Sequence, residues 1–385
     1  MIGMNLSRRS AATLAAVALL GGCKMIPKAP DRAPPPPSEG PSATVLPSDT
    51  QRHRVALLVP LSGPNAAVGQ AIANAATMAL LDTNASNLRI TNYDTATGAA
   101  SAAAKAVADG NKLILGPLTS EDVPTVAASA RSAKLPVVSF SNDEKVASRD
   151  VLILGSVPGQ SIARVVTFAG SQGASRFAAL IPGGAYGQRA SAALMETVRA
   201  QGGSVVAMEN FDRSSTSLVN ATRRLRDKGG FDTVLIADSG RIAAQAAPLL
   251  RAQGSTTPRI LGTELWSGER LVVTTPALRG AQFASLSDAR YGQFSESYRS
   301  RFGSQPHRIA TLGYDAVLMT LRVARSWRPG TAFPISQLFG REGFSGLDGQ
   351  FRFASNGVVE RAFEVREIRT GGTNVVSPAP TSFGN

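Results

Sequence analysis

Few side chains in this sequence could do covalent or acid–base chemistry. Its two histidines stand far apart, His53 at the edge of a proline-rich stretch and His307 beside Pro306. Activating a nucleophile or holding a metal through histidine needs several such groups converging, so both chemistries are disfavoured. No G-x-S-x-G elbow and no phosphate-cradling G-x-x-x-x-G-K-[ST] loop occurs, and no serine stands three residues before a lysine. Asp143, Glu144, Asp238 and Glu264 could work as paired carboxylates, but exposed acids of this kind are usually solvated or paired with arginine. The chain reads as non-catalytic, with no cofactor and no metal. What recurs instead is grouped small polar side chains: Ser62 before Gly63-Pro64, Thr119 and Ser120 after Gly116-Pro117, and Ser139, Ser141 and Asn142 around Phe140. Hydroxyls and free N–H groups at helix starts suit a carboxylate or a neutral polar ligand. Each taken singly is more simply a helix or turn cap.

The elements that must position these groups follow a regular alternation. From Arg54, short β-branched or Leu-rich runs at 55–59, 88–93, 113–115 and 137–140 alternate with Ala-rich helical stretches at 67–81, 99–108 and 123–133. A second series places strands at 177–181, 205–209, 233–237 and 260–262, with helices at 188–200, 217–228 and 242–252 between them. This is the pattern of βαβ units, so the fold class is α/β, with two doubly wound lobes whose parallel sheets are covered by helices on both faces. Ligands of such folds sit beyond the carboxyl ends of the strands, where the polar groups fall. Tyr186, after a Gly-Gly turn at one such end, is placed to cover the apolar part of a ligand, while Phe140 and Trp266 could equally be packing.

The N-terminal segment carries a different chemistry. Arg8 and Arg9 precede an uncharged apolar run, 11–20, that is too short to span a bilayer, and Leu20-Gly21-Gly22 leads into Cys23, the only cysteine. A lone thiol cannot close an internal disulfide. The arrangement resembles a bacterial lipobox, which implies a signal peptide over 1–22 and acylation of Cys23. Residues 24–50 hold eight prolines and few large apolar side chains. Residues 23–52 are therefore expected as a semi-extended tether, of which 24–50 alone reach roughly 80 Å at about 3.1 Å per residue. Two arginines and no acid lie in 1–22, so the formal charge of +13 becomes +11 in the processed chain. Such a charge favours anionic neighbours, and an exported chain without basic, aromatic-interleaved stretches is not expected to bind nucleic acid.

Taken together, 55–64 (VALLVPLSGP) followed by Gly69-Gln70, 115–120 (LGPLTS), 135–141 (LPVVSFS), Ala185-Tyr186-Gly187 and 262–266 (GTELW) resemble the type I periplasmic binding proteins, the leucine-binding family. The resemblance runs from Arg54 to about Arg369 and implies a clamshell whose lobes are joined by three crossings, near Val157, Ser285 and Gly346. It implies lobe 1 over 53–156 and 285–345, lobe 2 over 157–284 and 346–370, and a tail over 371–385. Two relatives within that fold are pertinent. The first is similar in 55–64, 261–266 and 346–353 (GLDGQFRF): the lipoprotein activators of penicillin-binding proteins, which implies a partner in peptidoglycan synthesis and, with Lys24 after Cys23, an outer-membrane anchor in the periplasm. The alternative is the substrate-binding receptor of an ABC permease. In amino-acid receptors, hydroxyls of the first lobe hold the ligand's carboxylate and an acid of the second lobe holds its ammonium. Thr119, Ser120, Ser139 and Ser141, flanked by Ser62 and Asn142, match the first role, and Glu264 with Asp238 matches the second. An amino-acid-like ligand or a muropeptide is the expected occupant.

Overall fold

The computed structural model describes residues 51–251, 257–380 and Phe383. The leader, Cys23 and the tether up to residue 50 lie outside the described residues. The first sheet is built from β1 (His53–Val59), α1 (Ala66–Asp82), β2 (Leu88–Asp94), α2 (Ala99–Ala108), β3 (Leu113–Leu115), α3 (Val123–Ser132), β4 (Val137–Ser139) and β5 (Val151–Ile153). Its five strands are all parallel, in the order β2-β1-β3-β4-β5. Along β1, Val55, Leu57 and Val59 face α1, whereas Ala56 and Leu58 face α2 and α3. Both faces are buried, which is why β1 reads as an unbroken apolar run.

The chain then passes through residues 154–157 into α4 (Pro158–Ser171) and a second series: β6 (Arg176–Pro182), α5 (Ala185–Ala200), β7 (Ser204–Phe211), α6 (Ser215–Lys228), β8 (Thr233–Ile236), α7 (Gly240–Leu250), β9 (Arg259–Gly262), α8 (Arg270–Thr274) and β10 (Gln282–Ser285). Ser214 starts α6 by accepting a hydrogen bond from the Ser217 N–H at 3.2 Å. Next come α9 (Tyr291–Phe302) and α10 (Thr311–Ala324), which return to the first lobe. Leu312, Val317, Met319 and Val323 of α10 share one core with Val55, Leu57 and Ile72.

The C-terminal part corrects two expectations. An antiparallel sheet of β11 (Phe344–Gly346), β12 (Gly349–Phe353) and β13 (Val359–Arg361) sends Phe344, Phe351, Phe353 and Val359 into the first lobe's core. The third crossing therefore falls at Ala362–Phe363 rather than near Gly346, since Phe363 is the residue that joins the second core. After it, β14 (Glu364–Arg369) and β15 (Gly372–Ser377) add an antiparallel edge to the second sheet, whose order is β15-β14-β10-β9-β8-β6-β7. The segment expected as a tail from residue 371 thus begins as a paired strand.

The two lobes share a local device. A Cβ at Gly69 would lie 1.8 Å from the Pro60 carbonyl oxygen, and one at Gly187 would lie 1.8 Å from that of Pro182. In each lobe a Gly-Gln pair, 69–70 and 187–188, lets the first helix lean directly on the carbonyl that ends the first strand.

Candidate ligand-binding cleft

Between the lobes, at the carboxyl ends of the strands, lies a cavity of about 630 Å³. Its second-lobe wall is the turn after β9. The Thr263 hydroxyl accepts the Leu265 N–H at 3.4 Å, and the buried Trp266 donates its indole N–H to the Asp238 carbonyl at 2.9 Å. The indole covers Gly262 so closely that a Cβ there would meet the ring at 2.2 Å. This anchored turn sets Glu264 and Leu265 into the cavity wall, with Ser267 and Glu269 following. The Ser161 hydroxyl, from the first turns of α4, donates to the Glu264 carboxylate. Burial pushes the Glu264 carboxyl up to about 7, against the opposing pull of that hydrogen bond. Tyr186 donates or accepts with Thr263 at 3.2 Å, and burial together with the nearby Glu264 charge raises its phenol well above the usual range.

The opposite wall comes from the first lobe: Leu118 after β3, Phe140 and Asn142 after β4, then Ile309, Thr311 and Leu312 at the start of α10. Gly155 and Ser156 of the first crossing complete it. At one end Arg308 donates to Asp288 at 2.6 Å and to Asp348 at 2.8 Å, and stacks over the Tyr291 ring with 3.9 Å to its centroid. Thr311 also donates to Asp348, at 2.5 Å. Arg366 of β14 pairs with Asp288 in turn, so this ionic cluster runs from one lobe to the other. The Arg308 Nε has no partner among the described residues.

Of the residues expected in the site, Glu264 and Asn142 line the cavity and the others do not. Ser62 is exposed and donates to Asp94 at 2.7 Å, which makes it a turn residue. Thr119 donates to Asp122 at 2.8 Å, at the start of α3. Ser139 and Ser141 are buried; the first donates to the Pro117 carbonyl at 2.9 Å and accepts the Ser141 N–H, and the second accepts the Asp143 N–H. The Ser139 hydroxyl ties the ends of β3 and β4 together, and that of Ser141 holds the turn after β4. Ser120 is half-buried and its carbonyl receives the Val123 N–H. Asp238 is buried, takes Arg213 at 2.7 Å and its own helix-start N–H at Ser239, and is thereby satisfied. Tyr186 stands behind Glu264 and supports it through Thr263.

Asn142 has a further role. Arg189 of α5 donates to its side-chain amide oxygen at 3.0 Å and pairs with Asp143 at 3.1 Å, so the second lobe grips the first at the rim of the cleft. Ser161, Arg308, Asp348, Tyr291 and Arg189 went unnoticed in the sequence. Only the helical spacing of Ile162, Val165, Val166 and Ala169 after Ser161 could have pointed to one of them.

Two sheets of this order with a cleft between them define a clamshell binding protein. A family model for periplasmic binding proteins matches residues 53–373. The chain belongs to that family, of the type I, leucine-binding-protein-like kind, whose members bind ligands rather than transform them. A crystal structure described as a branched-chain amino-acid ABC transporter protein from Rhodospirillum rubrum is similar at a TM-score of 0.74 with 21% identity, covering 84% of this chain and 100% of that one. LivJ from Streptococcus pneumoniae, solved with isoleucine, gives 0.65 and 20%, covering 85% and 100%. A solute-binding protein from Rhodopseudomonas palustris with 3,4-dihydroxybenzoic acid gives 0.67 and 19%, covering 86% and 97%. At these identities the likeness is one of fold. An uncharacterized protein of Rickettsia prowazekii is 26% identical over 184 residues, 47% of this chain and 49% of its own, so the chain spans about half the length of that curated relative.

Proposed function

We infer that this protein is the ligand-binding receptor of an ABC permease and takes a small amphiphilic ligand with an ammonium group. The observation that carries this is Glu264, a carboxylate held by Ser161 in the wall of an interlobe cavity whose far side offers polar groups. An ammonium against Glu264 would stabilise its ionised form in a site that now disfavours it. Asn142 and Ser156 are placed for the ligand's acceptor end, and Leu118, Phe140, Leu265, Ile309 and Leu312 for its apolar middle. Relatives solved with an amino acid and with an aromatic acid support this reading over the cell-wall activator expected first from the sequence. A thermal-shift and calorimetric screen of amino acids, benzoates and muropeptides tests it. Ligand at a hundred times its dissociation constant should add about 2.7 kcal/mol to stability. No response to any of these compounds would overturn the receptor reading.

The lipid anchor at Cys23 belongs to the same proposal. Acylation should hold the processed chain to a membrane, and Cys23→Ser should release it on fractionation. A receptor that feeds a permease should travel with inner membranes. Enrichment with outer membranes and a peptidoglycan synthase would favour the activator instead.

A further inference from the structure

The amino ends of the first lobe's strands, opposite the cleft, gather positive charge. Arg54 and Arg89 are register partners on β1 and β2, and Lys112 donates its backbone N–H to the Arg54 carbonyl at 2.9 Å on the other side. Residues directly opposite on adjacent parallel strands point to one face, so Arg54 and Arg89 stand side by side, with Lys112 next to them just before β3. Lys134, exposed between α3 and β4, lies at the same end. So do the exposed Arg325 and Arg328, because Trp327 between them stacks on His53 with ring centroids 4.0 Å apart. The acids nearby are engaged: Asp109 accepts the Tyr93 hydroxyl and Asp150 pairs with Arg131. Like charges in adjacent register positions work against folding, so their presence at one end calls for a partner of opposite sign.

We propose that this end of the first lobe is a docking face for an anionic phospholipid surface. Two points beyond the charge favour a membrane, the first resting on the anchor proposed above. The segment expected as the lipid tether, residues 23–52, enters the folded body here, immediately before His53. The cleft opens at the other end of the same strands, so a body lying on this face keeps Asn142 and Glu264 directed away from the lipid. The face does not depend on what the cleft binds, nor on which membrane carries the anchor.

The test uses the chain from Cys23 onward, unacylated, in co-sedimentation with vesicles of phosphatidylcholine alone and of phosphatidylcholine with phosphatidylglycerol in equal parts. The protein should pellet with the second kind only, and salt should release it. Replacing Arg89, Lys112, Arg325 and Arg328 together with glutamine should weaken the binding by several hundredfold, at roughly fivefold per cation. The control replaces four exposed cations of the second lobe, Arg176, Arg199, Arg223 and Arg279, with glutamine and removes the same charge. That variant should bind vesicles like the parent. Equal losses in the two variants would reduce the effect to net charge and overturn the proposal. So would parent protein that ignores the anionic vesicles, or that pellets with isolated peptidoglycan in their place.

Discussion

The sharpest test of the cleft is the protonation of Glu264. Its ordinary value is 4.5 and burial raises it to about 7, so in the empty cleft at pH 5 the carboxyl is almost wholly neutral. A ligand ammonium needs the ionised form, and binding must then expel the proton. Below about pH 7 the apparent affinity should fall tenfold per pH unit, about a hundredfold by pH 5, and above about pH 8 it should be flat. Glu264→Gln keeps an acceptor for the Ser161 hydroxyl but removes the charge. It should weaken an ammonium ligand by one to two decades, at about 1.5–3 kcal/mol for a charged hydrogen bond, and abolish the pH slope. The ligand-free protein provides an independent readout. A folded-state value above the unfolded one means that stability is fully present below pH 4.5 and declines as pH rises towards about 7, and the glutamine variant should lack this decline. Calorimetric titration of the parent and variant from about pH 5 to pH 8 measures the affinity, and thermal unfolding from about pH 4 to pH 8 measures the stability. An affinity that does not change with pH, or a glutamine variant that binds like the parent, would refute the assignment of Glu264 to the ammonium.

Other features make predictions of their own. Arg189→Ala removes the rim contact with Asn142 and Asp143 and should speed ligand release by about fivefold with association unchanged, measured by stopped flow. Unaltered release would mean that the contact does not hold the lobes. Gly69→Ala places a methyl group against the Pro60 carbonyl and should cost about 3 kcal/mol or more in urea unfolding, whereas a loss below about 1 kcal/mol would show that α1 can shift. Asp315 is buried, and burial with the nearby Asp348 charge pushes its carboxyl above the ordinary 3.8, while one of its oxygens accepts the Leu347 N–H at 2.6 Å. Its contribution to stability should therefore decline as pH rises above about 4, and Asp315→Asn should raise Tm at alkaline pH but not in acid. An equal loss of Tm at every pH would contradict this.

The central elements of both sheets were legible because each is a local pattern. The strand 113–115 and the helix 99–108 stand in the structure with the expected bounds, and 55–59 differs from β1 only by two residues at its start. The second sheet's antiparallel edge was not legible, since β14 is a charged strand whose partner, β10, lies far back in the sequence, and β15 pairs only with β14. Glu264 could be found as an acid in a strand-end turn. Ser139 and Ser141 could not be placed, because a hydroxyl at a strand end can face a ligand or tie two strands, and only the Pro117 carbonyl beside Ser139 decides between them. Arg308 and Asp348 reach the cleft from the turn just before α10 and from the β11–β12 turn, segments whose return to the first lobe no local pattern announces.

The late return of the chain also fixes an order of events. The first lobe begins with β1, the first strand made, yet its core closes on Phe344, Phe351, Phe353 and Val359. Its outer sheet edge is met by the Gly357 carbonyl, which accepts the Ile153 N–H at 2.8 Å. Until residues 344–361 have been synthesised, the α1 and α10 side of that core lacks these four side chains, so the N-terminal half cannot complete its fold on its own. A chain ending at Glu342 should stay sensitive to protease under conditions where the complete chain resists, and a resistant fragment would contradict this. The last-made segment therefore acts as a timer, keeping the rest unfinished until synthesis of the chain is nearly complete.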